Sequence, residues 1–162
     1  MSDETTTLEI KGLDQLLKAL KKQPPIGRIG ILGSKNNRTK KEGSGSAPTN
    51  ATIGAAHEYG TSTHEQRSFL RVPLADNLDK EIENSGALDK DVMREVIKSG
   101  SVMPWLSKIM VLAEGIVAGA FDSNGYGKWA PWKTKGYENN TGQILVDTHQ
   151  LRDSITSEIK ET

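Results

Sequence analysis

His57, Glu58 and His64 form the one grouping in this chain whose residue types could activate water or hold a metal ion. A helical zinc site needs two histidines one turn apart on one face, with the glutamate between them as base. Here six residues, Gly60 among them, separate the two imidazoles, and only His149 remains to add a third. Cysteine is absent, which excludes thiolate metal sites, a cysteine nucleophile and a disulfide framework together. No Gly-x-Ser-x-Gly elbow occurs. Gly43-Ser44-Gly45 lacks the Lys-Ser/Thr and helix of a phosphate loop, and Asp122-Ser123-Asn124-Gly125 lacks the terminal glutamate of a calcium loop. The expectation is a protein that is not an enzyme, without metal, cofactor or catalytic residue, in which His57, Glu58, Tyr59 and Gly60 make a structural turn.

Two other sets carry the chemistry of recognition. Arg67-Ser68-Phe69-Leu70-Arg71 brackets an apolar pair with two guanidiniums, whose planar forks suit carboxylates of a neighbouring chain. Trp129-Ala130-Pro131-Trp132, with Lys128, Lys133 and Lys135, joins indoles to cations. That mixture suits stacking on single-stranded nucleic acid, and it equally suits a loop pinned to a core or to another subunit. Lys35, Arg38, Lys40 and Lys41 form the one dense basic cluster. A nucleic-acid-binding module using that cluster with Trp129 and Trp132 is therefore the alternative from another class, and a metal hydrolase on His57, Glu58 and His64 is a second. Across the whole chain Lys plus Arg and Asp plus Glu balance at 21 each, so no global charge draws it onto nucleic acid or anionic lipid.

The elements that must position these residues follow from apolar period and punctuation. At 162 residues the chain has the length of a single domain. Leu13, Leu16, Leu17 and Leu20 predict a helix over 12–22, stopped by Pro24-Pro25, and 28–32 predicts a short strand. Residues 34–50 lose nearly all apolar side chains and are expected to form a mobile basic loop. Residues 51–59 fit a helix or a strand equally. A helix opens at Pro73, a second is capped by Asp89 and stops at Gly100, and the longest runs over 104–122 with Trp105, Ile109, Leu112 and Ile116 buried. On it, Gly115 and Gly119 would admit another backbone. Ile144-Leu145-Val146 predicts a strand, and 151–159 a strand or short helix. No apolar run is expected to reach the ~20 residues of a bilayer span, and the polar start lacks a signal-peptide core, so no membrane partner is expected. The fold expected is α+β: a small antiparallel or mixed sheet packed against a long central helix plus shorter helices, with flexible termini.

Three stretches, taken in order, resemble a known family: His57-Glu58-Tyr59-Gly60 running into Arg67-Ser68-Phe69-Leu70-Arg71, then Lys128-Trp129-Ala130-Pro131, then Leu145-Val146-Asp147-Thr148-His149-Gln150-Leu151-Arg152-Asp153-Ser154-Ile155. They are similar to the "HE-aromatic-G", "R-x-F-L-R", "G-x-x-W-x-P" and "L-x-D-T-G-x-L-R-x-S-I" segments of the virion morphogenesis family, the tail-completion proteins of tailed bacteriophages. The likeness spans about Gly30 to Ile155. Ser68 stands where the pattern often has Pro, and His149 where it often has Gly; a positive φ at His149 would be unusual, so that turn is open to a different shape. The resemblance implies a structural protein of the virion neck, assembled in the bacterial host cytoplasm, that completes the tail and helps join it to the head. It implies a homo-oligomeric ring, sixfold to match the tail tube, between partners such as the tail terminator and the head–tail connector, with genomic DNA only passing through the lumen. Arg67, Phe69, Arg71, Trp129 and Trp132 are then the expected assembly contacts.

Overall fold

The computed structural model describes residues 14, 17, 25–38, 48–131, 144–145 and 149–161. The fold is a small α+β one. Strand β1 (Ile26–Ile31) leads into a 3-10 turn (Gly33–Asn36); then come helices α1 (Asn50–Tyr59), α2 (Arg71–Asn84), α3 (Lys90–Ser99) and α4 (Met103–Asp122), the short α5 (Gln150–Asp153) and strand β2 (Ile155–Lys160). The two strands pair antiparallel, in a register running from Ile26 opposite Lys160 to Ile31 opposite Ile155. The expected helix over 12–22 lies outside the described residues except for Asp14 and Leu17, both helical.

Helix α4 is the element on which the others rest, because its apolar side chains occupy several faces. It packs against both strands, against α2 and against α3. Ile109, Met110, Ala113, Ile116, Val117, Ala120 and Phe121 are buried. Trp105 and Leu112, expected to be buried, are only half-buried, since the sheet and α2 take the neighbouring rows instead. The helix is long and apolar enough to cross a membrane by length and composition, contrary to the expectation of no such run; here its apolar rows serve as the packing core of the fold. Beyond its end, Asn124, Gly125, Tyr126 and Gly127 all take positive φ and fold the chain back. Tyr126 then donates its hydroxyl to the Ile116 carbonyl at 2.9 Å, and a Cβ on Gly119 would stand 2.8 Å from that hydroxyl oxygen. What Gly119 admits is thus a side chain, not another backbone, and Gly115 has nothing near it.

The core gathers Phe69, Val117, Phe121, Trp129, Ile144, Leu145 and Leu151. Phe121 sits between two aromatics, 5.2 Å from the Phe69 ring and edge-on to Trp129 at 5.9 Å. Ile144 and Leu145 form a turn with Leu145 at φ 66°, not the expected strand; they enter the core as a plug, with the Ile144 N–H bonded to Asn124. Val146 lies outside the described residues. Residues 151–159 supply both alternatives in succession, α5 and then β2. His149 has φ 57°, the left-handed conformation expected of a glycine position.

The start of the expected mobile loop is held in place. Asn50, buried at the head of α1, donates to the carbonyls of Lys35 and Asn37 at 2.8 and 3.2 Å and accepts from Arg38 at 3.1 Å. Asn36 accepts from the Ala51 N–H at 2.8 Å. A polar segment without an apolar anchor is ordered here by hydrogen bonds to a helix N-terminus, which offers unpaired donors. Residues 39–47, Lys40 and Lys41 among them, lie outside the described residues. Because Ile116 is buried and Leu112 is not, Ile116→Ala should cost about 2–5 kcal/mol in denaturant unfolding and Leu112→Ala clearly less; equal losses would mean that α4 is rotated from this packing.

Candidate functional site

Helix α2 begins without a side-chain cap from its N-cap residue. Its N-cap is Leu70, no side chain of its own caps it, and its first turn has no acidic residue. The missing acceptor comes from α1. Glu58, 5% exposed, takes the Phe69 and Leu70 N–H groups on Oε2, both at 3.0 Å. Its Oε1 takes the Arg71 N–H at 3.0 Å and the Ser68 hydroxyl at 2.5 Å. Ser68 Oγ in turn accepts the Val72 N–H at 3.0 Å. One carboxylate and one hydroxyl thus satisfy the opening turn of α2, with the negative charge at the positive end of its dipole.

The return of the chain makes this meeting possible. Gly60, with φ 75°, ends α1; a turn closed by the Thr61 N–H to the His64 carbonyl follows at 2.9 Å, and the chain then runs back along the helix end. Arg67 donates its N–H to the His57 carbonyl at 2.8 Å, and Gln66 its side-chain amide to the Glu58 carbonyl at 3.0 Å. Of the two readings open for 51–59 the structure has the helix, so His57, Glu58 and Tyr59 of the expected structural turn are its last turn, and Gly60 ends it.

Arg67 is 4% exposed, and its guanidinium donates to the carbonyls of Ala130 at 3.1 Å and Pro131 at 3.3 Å. Trp129, 8% exposed, donates its indole N–H to the Ser68 carbonyl at 3.0 Å. The 129–131 segment is therefore fastened over the 67–68 backbone. Phe69 is in the core at 2% exposure. Three expected assembly contacts, Arg67, Phe69 and Trp129, are corrected to interior residues, since the hydrogen bonds to Glu58 and to the 130–131 carbonyls hold this stretch against the core. Trp132 lies outside the described residues. Arg71 is the exposed one, with its guanidinium 5.9 Å above the ring of the equally open Tyr59.

The chemistry left to this cluster is that of a frame. Glu58 is occupied by four donors and has no lone pair free to serve as a base. His57 and His64 stand edge-to-face with ring centroids 6.4 Å apart, and among the described residues no three His, Asp or Glu side chains gather as a metal set. Trp129 has no free face to stack on a base. A cleft of about 160 Å³ is lined by Ser68, Pro73, Tyr126 and Trp129, with Lys128 and Asp76 paired at 2.7 Å on its wall. Sequence reasoning missed the Glu58 contact, although the uncapped start of α2 with a glutamate upstream was a signal for it. No family model, curated protein or solved structure matches the chain.

Glu58→Ala would strand three backbone donors and a hydroxyl in the interior, and should cost on the order of 3–5 kcal/mol in denaturant unfolding. Glu58→Gln should not restore the loss, because its amide would turn N–H toward N–H. A second outcome concerns acid. Burial, aided by Arg67 and His64, pushes His57 down from the usual 6.5 to about 4, and its Nδ1 has no hydrogen-bond partner among the described residues. Between those two pH values the unfolded chain binds a proton at His57 that the folded chain does not. Stability should therefore fall as pH drops from about 6.5 to about 4 and then level off with respect to this group, by at most about 3 kcal/mol and less in proportion to its partial exposure. In His57→Gln the corresponding part of the slope should vanish from chemical melts taken across that range.

Proposed function

We propose that this chain is a structural subunit of a tailed bacteriophage, of the virion morphogenesis or tail-completion kind, which assembles as a ring at the neck, completes the tail and helps join it to the head. The observation that carries this reading is the convergence of the segments that resemble the family. Glu58, the 67–71 run, the 129–131 run and Leu151 are far apart in sequence, yet they close on one another around the start of α2 and the Phe69 core. A pattern of this kind explains itself as a frame: the glutamate caps, the first arginine pins a loop, the phenylalanine and leucine fill the core. His149 with φ 57° adds support, because the resemblance asks for glycine-like backbone there. A protein whose distinctive residues are spent on its own interior acts through its surface. Neighbouring subunits, the tail terminator and the head–tail connector are the partners this reading names, with DNA as cargo.

At that frame Arg71 and Tyr59 are the members open to a neighbour. In complementation of a phage lacking this chain, Arg71→Ala, which gives up only a long 3.9 Å approach to Glu58 and the stack on Tyr59, should leave circular dichroism and melting nearly unchanged while lowering titre more than tenfold, with separated heads and tails in micrographs. Arg67→Ala should fail differently, by destabilising the subunit. A folded Arg71→Ala subunit that restores normal titre would remove this contact from the proposal, and virions that lack the chain at the neck by immunolabelling would remove the function.

A further inference from the structure

Helix α4 leaves one side open to solvent. Ser107, Val111, Glu114 and Gly115 are exposed on it and Lys108 partly so, with Val111 at 68%. Gly115 has nothing within 4 Å of where a Cβ would stand, so a second helix can come close at this point. Along the same side runs a groove of about 390 Å³, lined among others by Glu114, Ala118, Asp153 and Arg152, and Arg152 is already paired with Asp122 at 2.7 Å.

Lys108, Val111 and Glu114 follow one another at intervals of three and make one oblique ridge across the open side. The ridge is positive at one end, apolar in the middle and negative at the other. Neither charge can be met along the helix, because no residue three or four positions from Lys108 or from Glu114 is charged. Glu114 accepts the Ser157 N–H on Oε1 at 3.0 Å, and its second oxygen can accept from a cation as well. Reversed end for end, such a ridge is its own complement.

We propose that two copies of this chain meet two-fold through α4, crossing at Val111 with the ridges laid antiparallel, so that Lys108 of each copy reaches the partner's Glu114. Ridges of this kind run at about 45° to a helix axis, so the two helices cross near a right angle. The occupant is a second copy because the order of charges on the ridge is matched by the ridge itself, which is the property an isologous contact needs. A two-fold contact closes at two copies. It is therefore separate from the ring contacts of the neck reading and does not depend on them.

Charge exchange tests the pairing. In sedimentation of the purified protein, Lys108→Glu should weaken self-association at least about tenfold with melting unchanged, because it sets glutamates against each other twice. Glu114→Lys should do the same, and an equal mixture of the two variants should associate again, since every glutamate on the ridge then faces a lysine. Should Glu114→Lys melt early through loss of the Ser157 bond, Lys108→Glu and Val111→Glu carry the test alone. The chain has no cysteine of its own, so Val111→Cys, which lies on the two-fold, should give a disulfide dimer on mild oxidation. Leu88→Cys, 55% exposed on another part of the surface, should not. A wild-type chain that stays monomeric, folded single variants that associate as the wild type does, a mixture of folded variants that stays apart, or equal cross-linking of both cysteine variants would each overturn the proposal. Because purified protein is read alone, a chain that pairs as expected but never appears in virions would leave this contact standing and sink the neck assignment instead.

Discussion

Glu58 sits where two problems of burial solve each other. A carboxylate taken out of water is costly unless its lone pairs are filled, and a helix N-terminus buried without a cap leaves several N–H groups unpaired. Glu58 brought to the head of α2 removes both costs at once, with Ser68 completing the set. Because each side needs the other, the loop between α1 and α2 has little freedom to take another path. The order of that loop fixes where Phe69 enters the core, and Phe69 in turn sets Phe121 and, through it, the α4 helix.

The buried Arg67 extends the same logic to a distant part of the chain. A guanidinium in the interior requires acceptors, and the carbonyls of Ala130 and Pro131 supply them. Trp129 then lies over Ser68 with its N–H paired and its ring against Phe121. Removing any one of these side chains leaves a polar partner buried without its complement. The cluster is therefore expected to respond cooperatively, with losses that do not add.

Elements governed by local pattern were legible in the sequence: β1 from its apolar run, α3 from Asp89 to Gly100, and α4 from its apolar period, displaced by one residue. What was not legible depended on contacts between distant residues. Residues 51–59 fitted a helix as well as a strand, but the role of Glu58 was not legible, because that glutamate works on backbone twelve residues away or so, and no local period reports that. Ile144 and Leu145 have the composition of a strand, but form a turn and pack into the core. Asn50 ordered the head of a loop whose composition predicted mobility, since one buried amide can satisfy three partners. At the site, the residue types were found and their direction was not: Arg67 and Trp129 look like surface anchors until their carbonyl partners are known.

That reversal bears on how such a protein would act. If the residues that distinguish the chain are committed to its interior, variation in partner or ring geometry has to reside elsewhere, on surfaces the frame merely holds in place. Arg71 and Tyr59 at the frame's edge and the open row of α4 are surfaces of that kind, one cationic and aromatic, the other apolar beside an acidic groove. They are built on helices that share the Phe69–Phe121 contact, so their relative position is set by core packing. A neutral chain can then present local charge of both signs without a net field that drives it onto nucleic acid. The rigid interior and the unequal surfaces are thus parts of one arrangement, in which the buried carboxylate holds the helices that carry those surfaces in place.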